Sequence, residues 1–169
     1  SGNTDMYLVK IDRNGDLIWQ KAYGNKAFPN HEWAYDIVQV PDKGFIVVGS
    51  RDRYSKGGLN ALVIRIDENG NLIWEKELLS DNQSIEVIYS IALSPDGYYY
   101  LCSGSNSISS PEIFYPTIFK IDGSGNIDWK RDLNANGREY HQFRAIATQL
   151  GEIIVVGSSS QNLPMGYKE

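Results

Sequence analysis

One eleven-residue pattern occurs three times in this 169-residue chain, and it constrains the fold more than any other feature. Segments 11–21, 66–76 and 121–131 each begin with Ile-Asp and carry Gly at the fifth position and Trp at the ninth. The three tryptophans, Trp19, Trp74 and Trp129, are 55 residues apart in both intervals. A fixed period of this length is typical of proteins built from stacked structural repeats. We expect the tryptophans to pack between neighbouring units rather than to form a ligand cage.

Each unit contains four short segments that are rich in β-branched and aromatic residues and bounded by Gly, Asn, Asp or Pro. They span 6–12, 15–23, 33–40 and 44–50 in the first unit, 61–67, 70–77, 87–94 and 97–103 in the second, and 117–122, 125–132, 143–149 and 152–158 in the third. Such segments predict β-strands. No stretch keeps the helical spacing of apolar residues for long enough to predict a helix.

The connections between the predicted strands alternate between short and long. The short ones combine Asp or Asn with Gly, which favours tight hairpin turns. The long ones, at 24–32, 51–60, 78–86, 104–116 and 133–142, differ from one another. In an antiparallel meander, alternate connections lie on the same side, so the tight turns form one rim and the long loops the other. We expect binding on the long-loop rim, because loops on a rigid scaffold often carry function.

Four antiparallel strands per repeat predict an all-β fold, a β-propeller with three four-stranded blades of about 55 residues. The predicted blades span 5–50, 60–104 and 115–158, and 159–169 begins the next inter-blade loop. Propellers usually have about four to eight blades, so three form only a partial ring. Two interpretations are open. The chain is a segment of a longer propeller, or it is half of a six-bladed ring that a second copy closes.

The repeat is similar to those of bacterial and archaeal secreted or cell-surface β-propeller proteins. Asp12, Gly15 and Trp19 also resemble the Asp–Gly–Trp motif of quinoprotein-like (PQQ-like) propeller repeats, with one residue fewer between Asp and Gly. The resemblance covers nearly the whole chain and implies propeller architecture. Some quinoprotein-like propellers are dehydrogenases, while others are scaffolds or lectin-like binders. The dehydrogenases resemble full eight-bladed rings, often with two adjacent cysteines, whereas this chain has three units and only Cys102. The resemblance therefore favours a module without a cofactor.

Composition restricts the partners and the compartment. The net charge is -5 and the basic residues are scattered, which argues against a nucleic-acid-binding surface. No apolar run approaches the roughly 18 residues of a membrane span, so no membrane insertion is predicted. A single cysteine cannot form a disulfide within the chain, which suits a prokaryotic exported protein as well as a cytosolic one. The chain opens at Ser1 without a signal peptide, which we interpret as the mature or excised part of something longer. With the resemblance, this predicts an extracellular, cell-surface or periplasmic location.

Aromatic and arginine side chains in the long connections break the repeat and are the composition expected of a binding surface. The candidate binding residues are His31, Trp33, Arg51, Arg53, Tyr54, Phe114, Tyr115, Arg138, Tyr140 and His141. They predict a protein or glycan partner on the long-loop rim. The alternative is that these residues only pack on one another.

A second candidate is a set of three cations at one equivalent position of the units, Lys10, Arg65 and Lys120. We place them on the innermost strand of each blade, where they could bind an anion in the central channel. Local pairing with acidic residues is the alternative. No metal site is predicted. His31 and His141 belong to different units, and the Asp12-to-Asp16 segment, although it resembles the start of a calcium loop, is explained by a turn.

The sequence contains no convergent set of acids, bases or nucleophiles. We therefore predict a non-catalytic binding or scaffold module. The alternatives are part of a propeller enzyme, a hydrolase, lyase or quinoprotein-like oxidoreductase with its site at the channel mouth, or a purely structural spacer.

Overall fold

The structure is a computed structural model that describes residues 4–24, 30–52, 58–78, 84–107, 110–133, 139–147 and 151–160. Within these ranges the chain is all-β, with antiparallel sheets and no helix, which confirms the predicted fold class at this level. The twelve strands are β1 (Met6–Ile11), β2 (Leu17–Tyr23), β3 (Glu32–Gln39), β4 (Phe45–Asp52), β5 (Leu59–Ile66), β6 (Leu72–Leu78), β7 (Ser84–Leu93), β8 (Tyr99–Ser107), β9 (Ser110–Ile121), β10 (Ile127–Asp132), β11 (Glu139–Ala147) and β12 (Ile153–Ser160).

These strands form four sheets in chain order, and the arrangement is open rather than closed. Sheet A consists of β1 and β2, and sheet D of β11 and β12. Sheet B has the order β3-β4-β5-β6 and sheet C the order β7-β8-β9-β10, so both are four-stranded antiparallel meanders.

The two four-stranded sheets are displaced by two strands from the predicted ranges 5–50, 60–104 and 115–158. β4 pairs with β5 within sheet B, and β8 pairs with β9 within sheet C. The chain instead passes from one sheet to the next between β2 and β3, between β6 and β7, and between β10 and β11. The physical reason lies in β4 and β5, which are buried along almost their whole length and therefore pair as the two central strands of sheet B.

The recurring Asp–Gly segments are tight turns held by the aspartate side chain. Oδ1 of Asp67 accepts hydrogen bonds from the backbone N–H groups of Asn69 and Asn71, at 2.8 and 2.7 Å. Asp12 and Asp122 make the same pair of bonds in their own turns. These bonds account for the aspartate without a bound calcium ion.

Adjacent sheets pack through apolar side chains that are buried on both faces of each inner sheet. Met6 and Leu8 of sheet A pack against Leu62, Ile64 and Ile66 of sheet B. The opposite face of sheet B packs against sheet C, and sheet C in turn packs against Ile153 and Val155 of sheet D. Cys102 lies in this last cluster, where burial raises the pKa of its thiol to about 12.

Two of the three repeated tryptophans, Trp19 and Trp74, connect their sheet to the tight turn of the next, which confirms the predicted packing between units for these two. Trp19 Nε1 donates to the carbonyl of Glu68 at 3.2 Å, and Lys21 Nζ donates to Asn71 Oδ1 at 2.8 Å. One unit later, Lys76 Nζ donates to Asn126 Oδ1 at 2.9 Å while the Trp74 ring lies over Gly125. The same turn thus receives the same two side chains at both junctions.

Substitution of Gly125 tests the contact between Trp74 and the tight turn. The φ of Gly125 is +75°, and a Cβ at this position would lie 2.7 Å from Cη2 of Trp74. Gly97 also has a positive φ, +84°, but a Cβ there would meet nothing within 4 Å. We expect both Gly125→Ala and Gly97→Ala to lose about 1–2 kcal/mol of unfolding free energy to backbone strain. Gly125→Ala should lose about 1–3 kcal/mol more through overlap. Urea unfolding measures both, and equal losses would contradict the tryptophan contact.

The turn aspartates predict an acid-dependent loss of stability. The backbone N–H of Asn71 and then its side-chain amide hold the pKa of Asp67 below its ordinary value of 3.8. A carboxylate with a depressed folded-state pKa stabilises the protein above the unfolded pKa, and this contribution disappears as the pH falls through the folded value.

We therefore expect the unfolding free energy of Asp67→Asn to change less than that of the wild type between about pH 5 and pH 2.5. Asp122, whose pKa is lowered in the same way, should make Asp67→Asn/Asp122→Asn flatter still. Urea unfolding at several pH values measures these slopes. Identical slopes in all three proteins would show that the turn carboxylates do not contribute.

Candidate functional site

The long-loop rim is the edge of sheets B and C where β3, β5, β7 and β9 begin and β4, β6, β8 and β10 end. In sheet B it is crossed by a buried ion network centred on Arg51. The Nε atom of Arg51 donates to Glu32 at 2.7 Å, and Nη1 donates to Glu75 at 2.6 Å and to Glu77 at 3.0 Å. Asn60 completes the network through a 3.0 Å bond to Glu77. All four strands of the sheet therefore contribute to the network.

The network keeps Arg51 charged in a buried position. Burial disfavours the guanidinium charge, but hydrogen bonds to Glu75, Glu77 and Glu32 outweigh burial and raise the pKa of Arg51. Arg51 is only 5% exposed and lies in β4. It was predicted on an exposed loop, and the structure corrects that placement, because the three carboxylates hold its side chain within the sheet.

Sheet C has a related ion-pair network at the same rim, but its cation comes from a different strand. Lys130 Nζ donates to the buried Glu86 at 2.9 Å, and the hydroxyl of Thr117 donates to Asp132 at 2.7 Å. Glu86 has the position in β7 that Glu32 has in β3, whereas the cation comes from the fourth strand of the sheet rather than the second. The rims of both inner sheets are thus fastened by side-chain ion pairs.

His31 and Trp33 are candidate residues that the structure brings together. Their rings stack with centroids 5.8 Å apart and an angle of 30° between their planes. The backbone N–H of Thr4 donates to Nδ1 of His31 at 3.1 Å, and Glu32 N–H donates to the Thr4 carbonyl at 2.7 Å. Because Nδ1 accepts, Nε2 carries the proton of the neutral imidazole. The pair is partly buried and its position on the rim is fixed by backbone contacts.

Other predicted binding residues lie in strands or outside the description. Arg53, Tyr54 and Arg138 lie outside the described residues. Phe114 and Tyr115 are in β9, and Tyr140 and His141 are in β11, where the backbone alone is described. The predicted loop 104–116 is largely a hairpin extension of β8 and β9, with Ser105 opposite Tyr115 and Ser107 opposite Ser110. Aromatic and β-branched residues favour this extended pairing over a loop.

The three predicted channel cations make local contacts. Arg65 binds the Asp42 carboxylate and the Phe45 carbonyl. Lys120 lies 3.5 Å from both Asp96 and Asp128, and Lys10 donates to the Glu68 carbonyl at 3.0 Å. β5 and β9, which carry Arg65 and Lys120, are paired on both sides, so the prediction that they are innermost strands is wrong. Anion binding by these cations stays a prediction.

A hollow of about 360 Å³ lies between sheets A and B and was not predicted. Its walls include Tyr7 and Val9 of β1, Tyr35 and Ile37 of β3, and Val47 of β4. It is mostly apolar and opens where sheet A has two strands instead of four. The repeat contains a signal for it. Val9 and Ile37 are exposed, whereas the residues at the same positions of the next unit, Ile64 and Ile91, are buried.

Comparison with the known protein families finds no match for this chain, and comparison with the curated proteins finds none. Across the described ranges, no group of three or more His, Cys, Asp or Glu side chains is arranged to hold a metal ion. The part of the chain that the structure describes contains no helix of the length and apolar character needed to cross a membrane.

The Arg51 network gives a stability prediction. Arg51→Met should lower the unfolding free energy by about 3–5 kcal/mol, because it leaves the buried Glu32 carboxylate without its cation. Arg51→Met/Glu32→Leu should recover part of this loss, since it also removes the most buried of the three carboxylates, whereas Glu75 and Glu77 remain. Urea unfolding near neutral pH measures both variants. A double variant as unstable as the single one would contradict the charge-burial explanation.

Proposed function

We propose that the four sheets are consecutive blades of a β-propeller, related to the bacterial and archaeal surface and quinoprotein-like repeats. The proposal is supported by the four-stranded meanders of sheets B and C and by junction contacts that recur with the 55-residue sequence period. In this proposal the module belongs to an exported or cell-surface prokaryotic protein. Its role is non-catalytic binding or scaffolding, and the enzyme alternative stays a prediction.

The binding surface in this proposal is the long-loop rim, and the His31–Trp33 stack is the observation that supports it. Tryptophan and other aromatic side chains contribute strongly to interfaces because they offer a large, stiff contact area. The Arg51 network fixes the strands beneath the pair, so little side-chain or backbone order would have to be gained on binding. A protein or glycan partner fits such a surface.

The test compares two double variants. His31→Ala/Trp33→Ala removes the stack, and Leu72→Ala/Ile73→Ala removes two exposed apolar side chains beside a tight turn on the opposite rim. Both proteins and the wild type are screened on an array of glycans and prokaryotic envelope proteins, and affinities are measured by biolayer interferometry. We expect the first variant to weaken partner binding at least tenfold and the second to leave it unchanged. Equal affinities in all three proteins would overturn the proposed surface.

A further inference from the structure

Sheets A and D are complementary halves of one four-stranded sheet. The strands β1 and β2 carry the same repeat motif as β5 and β6, which are the third and fourth strands of sheet B. The strands β11 and β12 pair as β3 and β4 do, and Ile153 lies opposite Ala147 as Phe45 lies opposite Gln39. Sheet D therefore holds the two strands that sheet A lacks, and sheet A holds the two that sheet D lacks.

Sheet A exposes side chains whose counterparts in sheet B are buried. Tyr7, Val9 and Ile11 are 59%, 50% and 57% exposed. The equivalent residues of β5 are at most 1% exposed: Leu62, Ile64 and Ile66. The difference arises because the face of sheet B that carries these residues packs against sheet A, whereas the same face of sheet A has no described sheet against it.

Sheet D shows the same contrast on the opposite face. Ile154 and Val156 are 52% and 56% exposed, whereas their counterparts Ile46 and Val48 in β4 are fully buried. Ile46 and Val48 face the following sheet, so a further sheet packed in the same way on sheet D would cover Ile154 and Val156. Sheets A and D thus expose apolar side chains whose counterparts in sheet B are buried.

The pairing of β4 with β5 gives the register for joining the halves. Phe45 lies opposite Ile66, and Val47 lies opposite Ile64. Transferred to the ends of the chain, this register places Ile153 opposite Ile11 and Val155 opposite Val9. Both joining strands are paired on one edge only among the described residues, so each has an unpaired row of backbone groups for the other.

Charge complementarity at this junction points to the partner. At the two junctions within the chain, Lys21 binds Asn71 and Lys76 binds Asn126. The third unit has Arg131 at the position of Lys21 and Lys76. The first unit has Asp16 at the position of Asn71 and Asn126, and no described lysine binds it. An equivalent contact at a third junction would pair Arg131 with Asp16, and a charge-assisted arginine–carboxylate bond is stronger than the lysine–amide bonds of the other two junctions. Arg131 and Asp16 are both exposed.

We propose that a second copy of this chain supplies the third junction, with β12 of each copy pairing to β1 of the other. Each composite sheet contains sheet D of one copy and sheet A of its partner, and β11 and β12 of the partner fill the hollow beside Tyr35 and Ile37. Sheets B and C of both copies and the two composite sheets then make six four-stranded sheets. Six lies within the usual range of closed propellers, and this closure rests on the proposed propeller architecture.

Light scattering and sedimentation of the 169-residue protein test the assembly. We expect a dimer of twice 19.0 kDa that dissociates on dilution. Asp16→Arg and Arg131→Glu should each raise the dimer dissociation constant at least tenfold, and the double variant should restore most of the affinity. The control Glu68→Arg makes the same charge change in the equivalent turn of sheet B and should leave the dimer intact. A monomer at all concentrations, or a dimer indifferent to both charge reversals, overturns the proposal.

Cross-linking tests the register. Val9→Cys and Val155→Cys chains are mixed and oxidised, and we expect a disulfide between them because opposite residues on neighbouring strands lie within disulfide reach. Tyr7→Cys is the control. It lies two residues before Val9 on β1, so in the proposed register it is not opposite Val155→Cys. Cys102 is fully buried and does not compete. Equal cross-linking by both cysteines overturns the register, and open polymers in place of dimers overturn the closure. Unchanged partner binding by His31→Ala/Trp33→Ala, with the dimer intact, would count against the proposed rim function alone.

Discussion

The contact between a tryptophan and the turn of the next sheet is the interaction on which the rest of this structure depends. The aspartate of each turn fixes the backbone through two N–H bonds, and glycine leaves room for the indole ring. Trp19 and Lys21 then reach the turn from the neighbouring sheet. Because the tryptophan and the turn belong to one segment of the repeat, the middle unit both receives this contact, from Trp19, and gives it, through Trp74. The 55-residue period therefore specifies the order in which sheets stack, as in other repeat architectures where each unit contacts only its neighbours.

Among the described residues, stacking covers sheets B and C on both faces and sheets A and D on one face each. The central strands of sheets B and C are buried almost throughout. The same positions are half exposed in sheets A and D. Exposed apolar strands with unpaired edges are an association hazard unless they are covered. In the proposed assembly, sheets A and D fit each other because of the repeat itself, since a four-stranded unit divided after its second strand yields two complementary halves.

The sequence predicts the positions of the strands better than it predicts which strands share a sheet. Turn residues and β-branched runs locate all twelve strands, because those signals are local. A periodic chain, however, does not say where one sheet ends, since any four consecutive strands complete one period. The burial pattern contains the missing information. The continuous apolar runs of β4 and β5 are typical of central strands, whereas β2 and β6 alternate as edge strands do. The Arg51 network was missed for a different reason, because its carboxylates come from three strands and meet only in the folded sheet.

Comparison of the inner sheets separates what the fold requires from what a function would require. Glu32 and Glu86 occupy equivalent buried positions, yet their cations, Arg51 and Lys130, come from different strands. Both sheets pair the buried carboxylate with a cation, although the cation comes from a different strand in each. We therefore assign this ion pair to the stability of the sheet, because a buried carboxylate needs a nearby cation from whichever strand can supply one. His31 and Trp33 behave differently, since their counterparts in the second unit are Ile85 and Val87. The stacked pair is therefore not needed to build a sheet of this kind, and this is the reason why the proposed binding surface is centred on it.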